Sequence, residues 1–170
     1  MKNIARVFFA AMLVAGMASC AKKAVKPPPP VEEPPTATTT ERMESTGKYT
    51  RESLDTDSCL RARVVYFDLD QTVIKPEFQA QIACHAAYMR QFPEARVRLE
   101  GNADERGSRE YNLGLGERRG NAVQSALSGA GASSSQLNVV SYGEERPVCR
   151  QHDESCWSKN RRVEIIYTAK

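Results

Sequence analysis

Between an apolar leader and the C-terminal two thirds of this chain lies a stretch that cannot fold by itself. Residues 21 to 59 carry Pro27–Pro30, Pro34 and Pro35 among Glu, Thr, Ser and Lys, with almost no large apolar side chain. Such a segment buries too little surface to offset the entropy lost on ordering. The prolines are expected to form an extended polyproline spacer, and Thr36–Thr40 a looser coil. At about 3.3–3.6 Å per residue, the reach of this tether is capped at roughly 130 Å. Any hydrophobic core must come from residues 60–170, which suffice for one small domain.

Residues 1–19 read as an export leader. Lys2 and Arg6 precede Val7–Ala18, an apolar run of 12 residues. A membrane-spanning helix needs about 20, so the run fits a signal-peptide core instead. Ala18 and Ser19 then lead into Cys20, an arrangement that resembles a bacterial lipoprotein signal, although Met17 stands where leucine is usual. The resemblance implies removal of residues 1–19 and acylation of Cys20. The alternative is an ordinary secretory leader followed by an incidental cysteine. More than one acyl chain on Cys20 would anchor the protein stably, and Ala21, by resemblance to enterobacterial sorting, favours the outer membrane. The net charge is +3, and without Lys2 and Arg6 the balance is 22 basic against 21 acidic residues. So neutral a chain is not expected to bind nucleic acid.

From residue 60 onward, strand and helix patterns alternate. Arg63–Phe67 is rich in β-formers. Pro76 opens a helix in which Phe78, Ile82, Ala86 and Met89 recur at helical spacing until Pro93. Arg96–Glu100 alternates as a half-buried strand. Ser108 is placed to cap a second helix with an apolar stripe of Tyr111, Leu115, Ala122, Val123, Ala126 and Leu127. Leu137–Tyr142 and Val163–Tyr167 give two more strands. The expected fold is α+β, in the order β-α-β-α-β-β, with two main helices on one side of a small mixed sheet. Gly114, Gly116 and Gly120 each weaken the second helix by about 1 kcal/mol relative to alanine. Close packing on the sheet, or a ligand near that face, must compensate.

Apart from Cys20, the cysteines are Cys59, Cys84, Cys149 and Cys156, an even number in an exported chain. This suggests two disulfides, for which three pairings are open. Cys149 with Cys156 closes a short ring before the last strand, leaving Cys59 to join Cys84. A zinc site is the competing reading, but the spacing lacks a CxxC pair; no metal or cofactor is expected. His85 reads as a partly buried or surface helix residue, and neither it nor His152 finds the partners of a catalytic triad. Asp68-Leu69-Asp70-Gln71-Thr72 after a strand is similar to the nucleophile motif of haloacid-dehalogenase-type phosphatases, in which Asp68 and Asp70 would act around Mg²⁺. The paired acids that such a site needs on a later strand are missing, and the plainer reading is a chain turn.

The run Leu99–Val123 carries a stronger signal. A strand ends at Asp104, a turn follows through Gly107, and the helix amides then point back at the strand end, where they favour a carboxylate. Asp104 is placed to receive an ammonium, and Arg119, three turns into the helix, to grip a carboxylate through two parallel hydrogen bonds. The pair would form a clamp for a zwitterionic amino-acid head group. By spacing alone, a helix cap at Asp104 and a surface ion pair at Arg119 is the simpler reading.

Val65–Asp68, Ile74–Gln79, Ala103–Gly107, Ser141–Glu145 and Asn160–Val163 together resemble the OmpA-like C-terminal domain family and, within it, the peptidoglycan-associated lipoproteins. The likeness spans nearly all of residues 62–168. It implies an OmpA-like sandwich without enzymatic activity that binds meso-diaminopimelate in peptidoglycan stem peptides non-covalently. It further implies attachment to the outer membrane by lipid, with Tol periplasmic proteins as partners; the alternative is a wall anchor serving another envelope complex. Asp104 and Arg119 fall on the two principal gripping positions, and Phe67, Asp68, Asn112 and Arg161 on supporting ones. Three departures stand out: Asn102 replaces a frequent histidine, Gly120 replaces the usual alanine, and the Cys149/Cys156 loop is lineage-specific.

Overall fold

A computed structural model describes residues 47–170; the leader, Cys20 and the prolines of the tether lie outside the described residues. Two one-turn helices, α1 (Ser53–Thr56) and α2 (Ser58–Arg61), lead into strand β1 (Val64–Tyr66). A 3₁₀ turn at Pro76–Phe78 starts helix α3 (Gln79–Gln91), followed by β2 (Arg96–Asn102), α4 (Arg109–Gly129) and β3 (Leu137–Gly143). A short helix α5 (Glu154–Asn160) precedes the last strand, β4 (Arg162–Ala169). The strands form one mixed sheet in the order β1-β4-β2-β3. β4 is antiparallel to both its neighbours, whereas β2 and β3 are parallel. A parallel pair needs a long crossover, and α4 supplies it. Ile82, Ala86 and Met89 of α3 and Val123 and Leu127 of α4 pack on Val65, Val97, Leu99, Val163 and Ile165 of the sheet. This is the α+β layering that the periodicities predict.

The folded unit begins earlier than residue 60. Tyr49, Leu54 and Leu60 are buried with Tyr88 and Ala95 in a second apolar cluster. These anchors sit five and six residues apart, which matches neither helix nor strand period, so the segment reads as tether in sequence. Asp57 caps α2 by accepting the Cys59 and Leu60 N–H groups at 2.9 and 3.3 Å. A Cys59–Cys84 disulfide then fastens α2 to α3, and Cys149 joins Cys156.

The helix glycines are explained by contact with the sheet. A Cβ on Gly116 would lie 2.4 Å from Ser141 Oγ and 2.8 Å from the Gly101 carbonyl oxygen, and one on Gly120 would lie 2.5 Å from Val139 Cγ1. The backbones of α4 and β2 thus meet at Gly101 and Gly116 with no room for a side chain. Gly114 is different: a Cβ there would meet only Arg118, at 3.1 Å.

His85 is fully buried on α3. Its Nε2 lies 3.0 Å from the Ala62 carbonyl oxygen, which can only accept, so that nitrogen carries the proton and Nδ1 takes the Tyr167 hydroxyl at 2.9 Å. Burial pushes the His85 pKa below its ordinary value, with the Arg63 charge adding to the effect.

Two predictions follow from this packing. Gly116→Ala should destabilise the domain by about 1–3 kcal/mol in urea unfolding despite its better helix propensity. Gly129→Ala, which has nothing within 4 Å of the new methyl, should stabilise by up to about 1 kcal/mol. Equal effects would contradict the close approach. Because His85 binds its proton less readily when folded, stability should be full above about pH 6.5. It should decline as pH falls below that value, by at most roughly 1.4 kcal/mol per unit, and His85→Gln should flatten this part of the profile.

Candidate functional site

The carboxyl end of β2, the start of α4 and the segment after β1 converge on a cavity of about 340 Å³ lined by Leu69, Asp70, Asp104, Arg106, Gly107, Tyr111, Asn112, Leu115, Arg119 and Arg161. Ser108 caps α4 by accepting the Tyr111 N–H at 3.2 Å, as the sequence predicts. Gly107 at φ 111° lets the chain turn between strand and helix.

Arg119 lies at the base of the cavity with 0% of its surface exposed. It is not a surface ion pair: among the described residues it has no acidic partner within 4.0 Å. Instead Nε donates to the Gln71 carbonyl at 2.9 Å, Nη1 to that of Asn102 at 3.0 Å and Nη2 to that of Asp68 at 3.0 Å. Its guanidinium also lies 5.4 Å from the centre of the Phe67 ring. Burial, with the Arg161 charge adding to it, lowers the Arg119 pKa to about 10. Three of its five N–H donors are used; Asp104 and Asp70 act on its charge across the cavity, but among the described residues neither stands within ion-pair distance.

Asp104 does not cap α4, and it is 4% exposed. Arg106 grips it through Nε to Oδ1 at 3.2 Å and Nη2 to Oδ2 at 2.6 Å, while Arg161 Nη1 reaches Oδ2 at 3.1 Å. Burial alone would raise the Asp104 pKa, but hydrogen bonds from Arg106 and Arg161 outweigh it and hold the carboxyl below its ordinary value. Arg161 also donates to the Phe67 carbonyl at 3.1 Å and to Glu154 of α5. Asn112 pins the turn by donating to the Arg106 carbonyl at 3.2 Å and to Glu144.

Asp104, Arg119, Asn112 and Arg161 therefore share one cavity, and Phe67 and Asp68 support it from behind: the Phe67 ring and the Asp68 carbonyl contact Arg119, and the Phe67 carbonyl accepts from Arg161. Residues 66–68 also line a second cavity of about 240 Å³ with Lys75, Ser158 and Lys159, and Arg161 borders both. The Asp68 carboxylate pairs with Lys75 at 2.6 Å, so Asp68 contributes to the Arg119 site only through its carbonyl. The next acid along, Asp70, lines the Arg119 cavity and accepts the Tyr111 hydroxyl. Asp68 and Asp70 thus face different cavities, which removes the geometry of a shared Mg²⁺. Among the described residues no group of three or more His, Cys, Asp or Glu is placed to hold a metal ion.

The chain has relatives. The model of the OmpA family matches residues 66–161. The peptidoglycan-associated lipoprotein of Pasteurella multocida is 36% identical over 167 residues, covering 98% of this chain and 100% of the relative. The chain belongs to the OmpA family. The peptidoglycan-associated lipoprotein of Pseudomonas putida is 50% identical over 114 residues, 66% of this chain and 68% of that one. The crystal structure of the peptidoglycan-associated lipoprotein from Burkholderia pseudomallei superposes with a TM-score of 0.66 at 43% identity, covering 68% of this chain and 98% of that one.

The sequence does not mark Leu69, Arg106, Gly107, Tyr111 or Leu115 as members of this cavity. Asp70 was noticed only as half of a phosphatase-like motif. Its signal is structural: it is the one non-glycine residue with positive φ, 56°, among those described. Such a backbone is uncommon outside glycine and aspartate or asparagine turns.

Arg161→Met should raise the Asp104 titration midpoint, read from its carboxyl ¹³C shift, because a hydrogen bond to the charged form is lost. An unmoved midpoint would mean that Arg161 is not a partner of Asp104 in solution.

Proposed function

We propose that this domain binds meso-diaminopimelate in the stem peptides of peptidoglycan, without making or breaking a bond. The observation that carries the reading is Arg119, a fully buried cation with no acidic partner among the described residues, at the floor of an open cavity. A buried charge left uncompensated is costly, and a ligand carboxylate supplies the missing counter-ion through the spare N–H donors. Asp70 and Asp104, on the same cavity wall, favour an ammonium beside that carboxylate. Leu69, Leu115 and the Tyr111 ring accept the methylene stem. The distal head group of diaminopimelate, a carboxylate and an ammonium on one carbon, fits this pattern. Lysine, which lacks the carboxylate, leaves Arg119 unpaired and is rejected on that ground.

The names of its relatives, with the leader and Cys20, support a lipoprotein tethered to the outer membrane and reaching the wall through its proline-rich segment. Tol periplasmic proteins are the proposed partners. No helix among the described residues is long and apolar enough to cross a membrane; acylated Cys20 is the proposed means of attachment.

Calorimetry with a diaminopimelate-containing tripeptide and its lysine analogue tests the site. The first should bind at least about 100-fold more tightly, and Asp70→Asn should weaken it. In cells, Cys20→Ser should leave the membrane fraction yet still sediment with isolated sacculi. Equal binding of the two tripeptides would refute the assignment of Arg119.

A further inference from the structure

The carboxylate offered to the ligand is already fully engaged. Asp104 Oδ1 accepts the Arg106 backbone N–H at 3.1 Å and Arg106 Nε at 3.2 Å, and Oδ2 accepts Arg106 Nη2 at 2.6 Å and Arg161 Nη1 at 3.1 Å. A carboxylate has about four lone-pair directions, so an arriving ammonium finds none open. For the ammonium to contact Asp104 as well as Asp70, one of the two guanidinium groups must yield.

Arg161 is not free to move. Its side chain is 6% exposed and is held at three points, by Asp104, the Phe67 carbonyl and Glu154. The Arg106 side chain is 32% exposed and projects from a turn. Its guanidinium stacks 4.2 Å from the centre of the Trp157 ring, and Nη2 lies 3.5 Å from Glu154 Oε2. The Trp157 ring is itself fixed by donating from Nε1 to Glu105 at 2.8 Å. Both an aromatic face and a carboxylate therefore remain for Arg106 once it leaves Asp104.

The geometry points to Arg106 as an internal stand-in for the ligand's ammonium, which occupies Asp104 in the empty site and, when the head group enters, releases Asp104 and settles more fully on Trp157 and Glu154, which it already touches. The inference rests on the proposed head-group site. In the empty domain the exchange keeps Asp104 compensated, and it makes the ligand compete with a tethered cation. A head group that has the carboxylate but lacks the amino group cannot take that place. Arg106 thereby helps to select the zwitterion. Helix α5, on the Cys149–Cys156 disulfide loop, supplies both parts of the resting place.

Trp157 is the single tryptophan of the chain and lies against the moving group, so it reports the exchange directly. Titrating the wild-type domain with the diaminopimelate tripeptide should change Trp157 emission. Arg106→Gln should bind the tripeptide roughly two- to fivefold more tightly, the scale of a partly exposed ion pair, and should lose the emission change. Arg106→Lys, which keeps the charge but cannot span both oxygens, should fall between them. A damaged fold would lower affinity and cannot imitate the gain. Equal or weaker binding by Arg106→Gln, with the wild type binding normally, overturns the stand-in while leaving the head-group site intact. Absence of binding to either protein overturns both.

Discussion

Much of the upper end of this domain is arranged around one buried guanidinium. Arg119 donates to carbonyls of residues 68, 71 and 102, so a single side chain on α4 fixes the segment after β1 and the end of β2. Charged donors form stronger hydrogen bonds than neutral ones, and these three replace part of the hydration that Arg119 loses. They do not replace its counter-ion. The fold therefore holds a cation in place at some electrostatic cost, and its pKa is depressed by burial. A bound carboxylate, as proposed, would relieve that cost. In the proposed function, stability and binding share this one residue.

The rest of the architecture allows Arg119 to sit so deep. Gly101 and Gly116 bring α4 onto the sheet at backbone contact, and Gly120 makes room for Val139. A helix lined with alanine at these points would ride further out and withdraw Arg119 from Asn102. On the opposite wall, Arg161 is a pillar between Phe67, Asp104 and α5. Asn160, just before it, accepts the N–H groups of Val148 and Cys149 and donates back to the Cys149 carbonyl at 2.7 Å. The disulfide loop is thus joined to the base of the pillar through an amide as well as through sulfur.

Regular elements were legible in the sequence because their apolar periods are local properties: the α3 and α4 stripes and the alternation in β2 all mark real elements. Both disulfides follow the pairing that the short Cys149–Cys156 ring favours. The segment from Tyr49 to Leu60 was not legible, since its anchors make sense only against Tyr88 and Ala95, far along the chain. Helix α5 has fewer than two full turns and no stripe to betray it. In the cavity, Asp104 and Arg119 were visible as opposite charges on a strand end and a helix. The left-handed backbone of Asp70, the outward turn of Asp68 toward Lys75 and the double grip of Arg106 on Asp104 are tertiary facts. No one-dimensional spacing encodes them.

The most direct measurement is a crystal structure of the domain with a diaminopimelate-containing tripeptide. The distal carboxylate should lie within hydrogen-bonding distance of the Arg119 guanidinium, with the ammonium toward Asp70 and Asp104. A tripeptide seated in the smaller cavity beside Lys75 and Lys159, with Arg119 contacting only its three carbonyls, would contradict the central assignment.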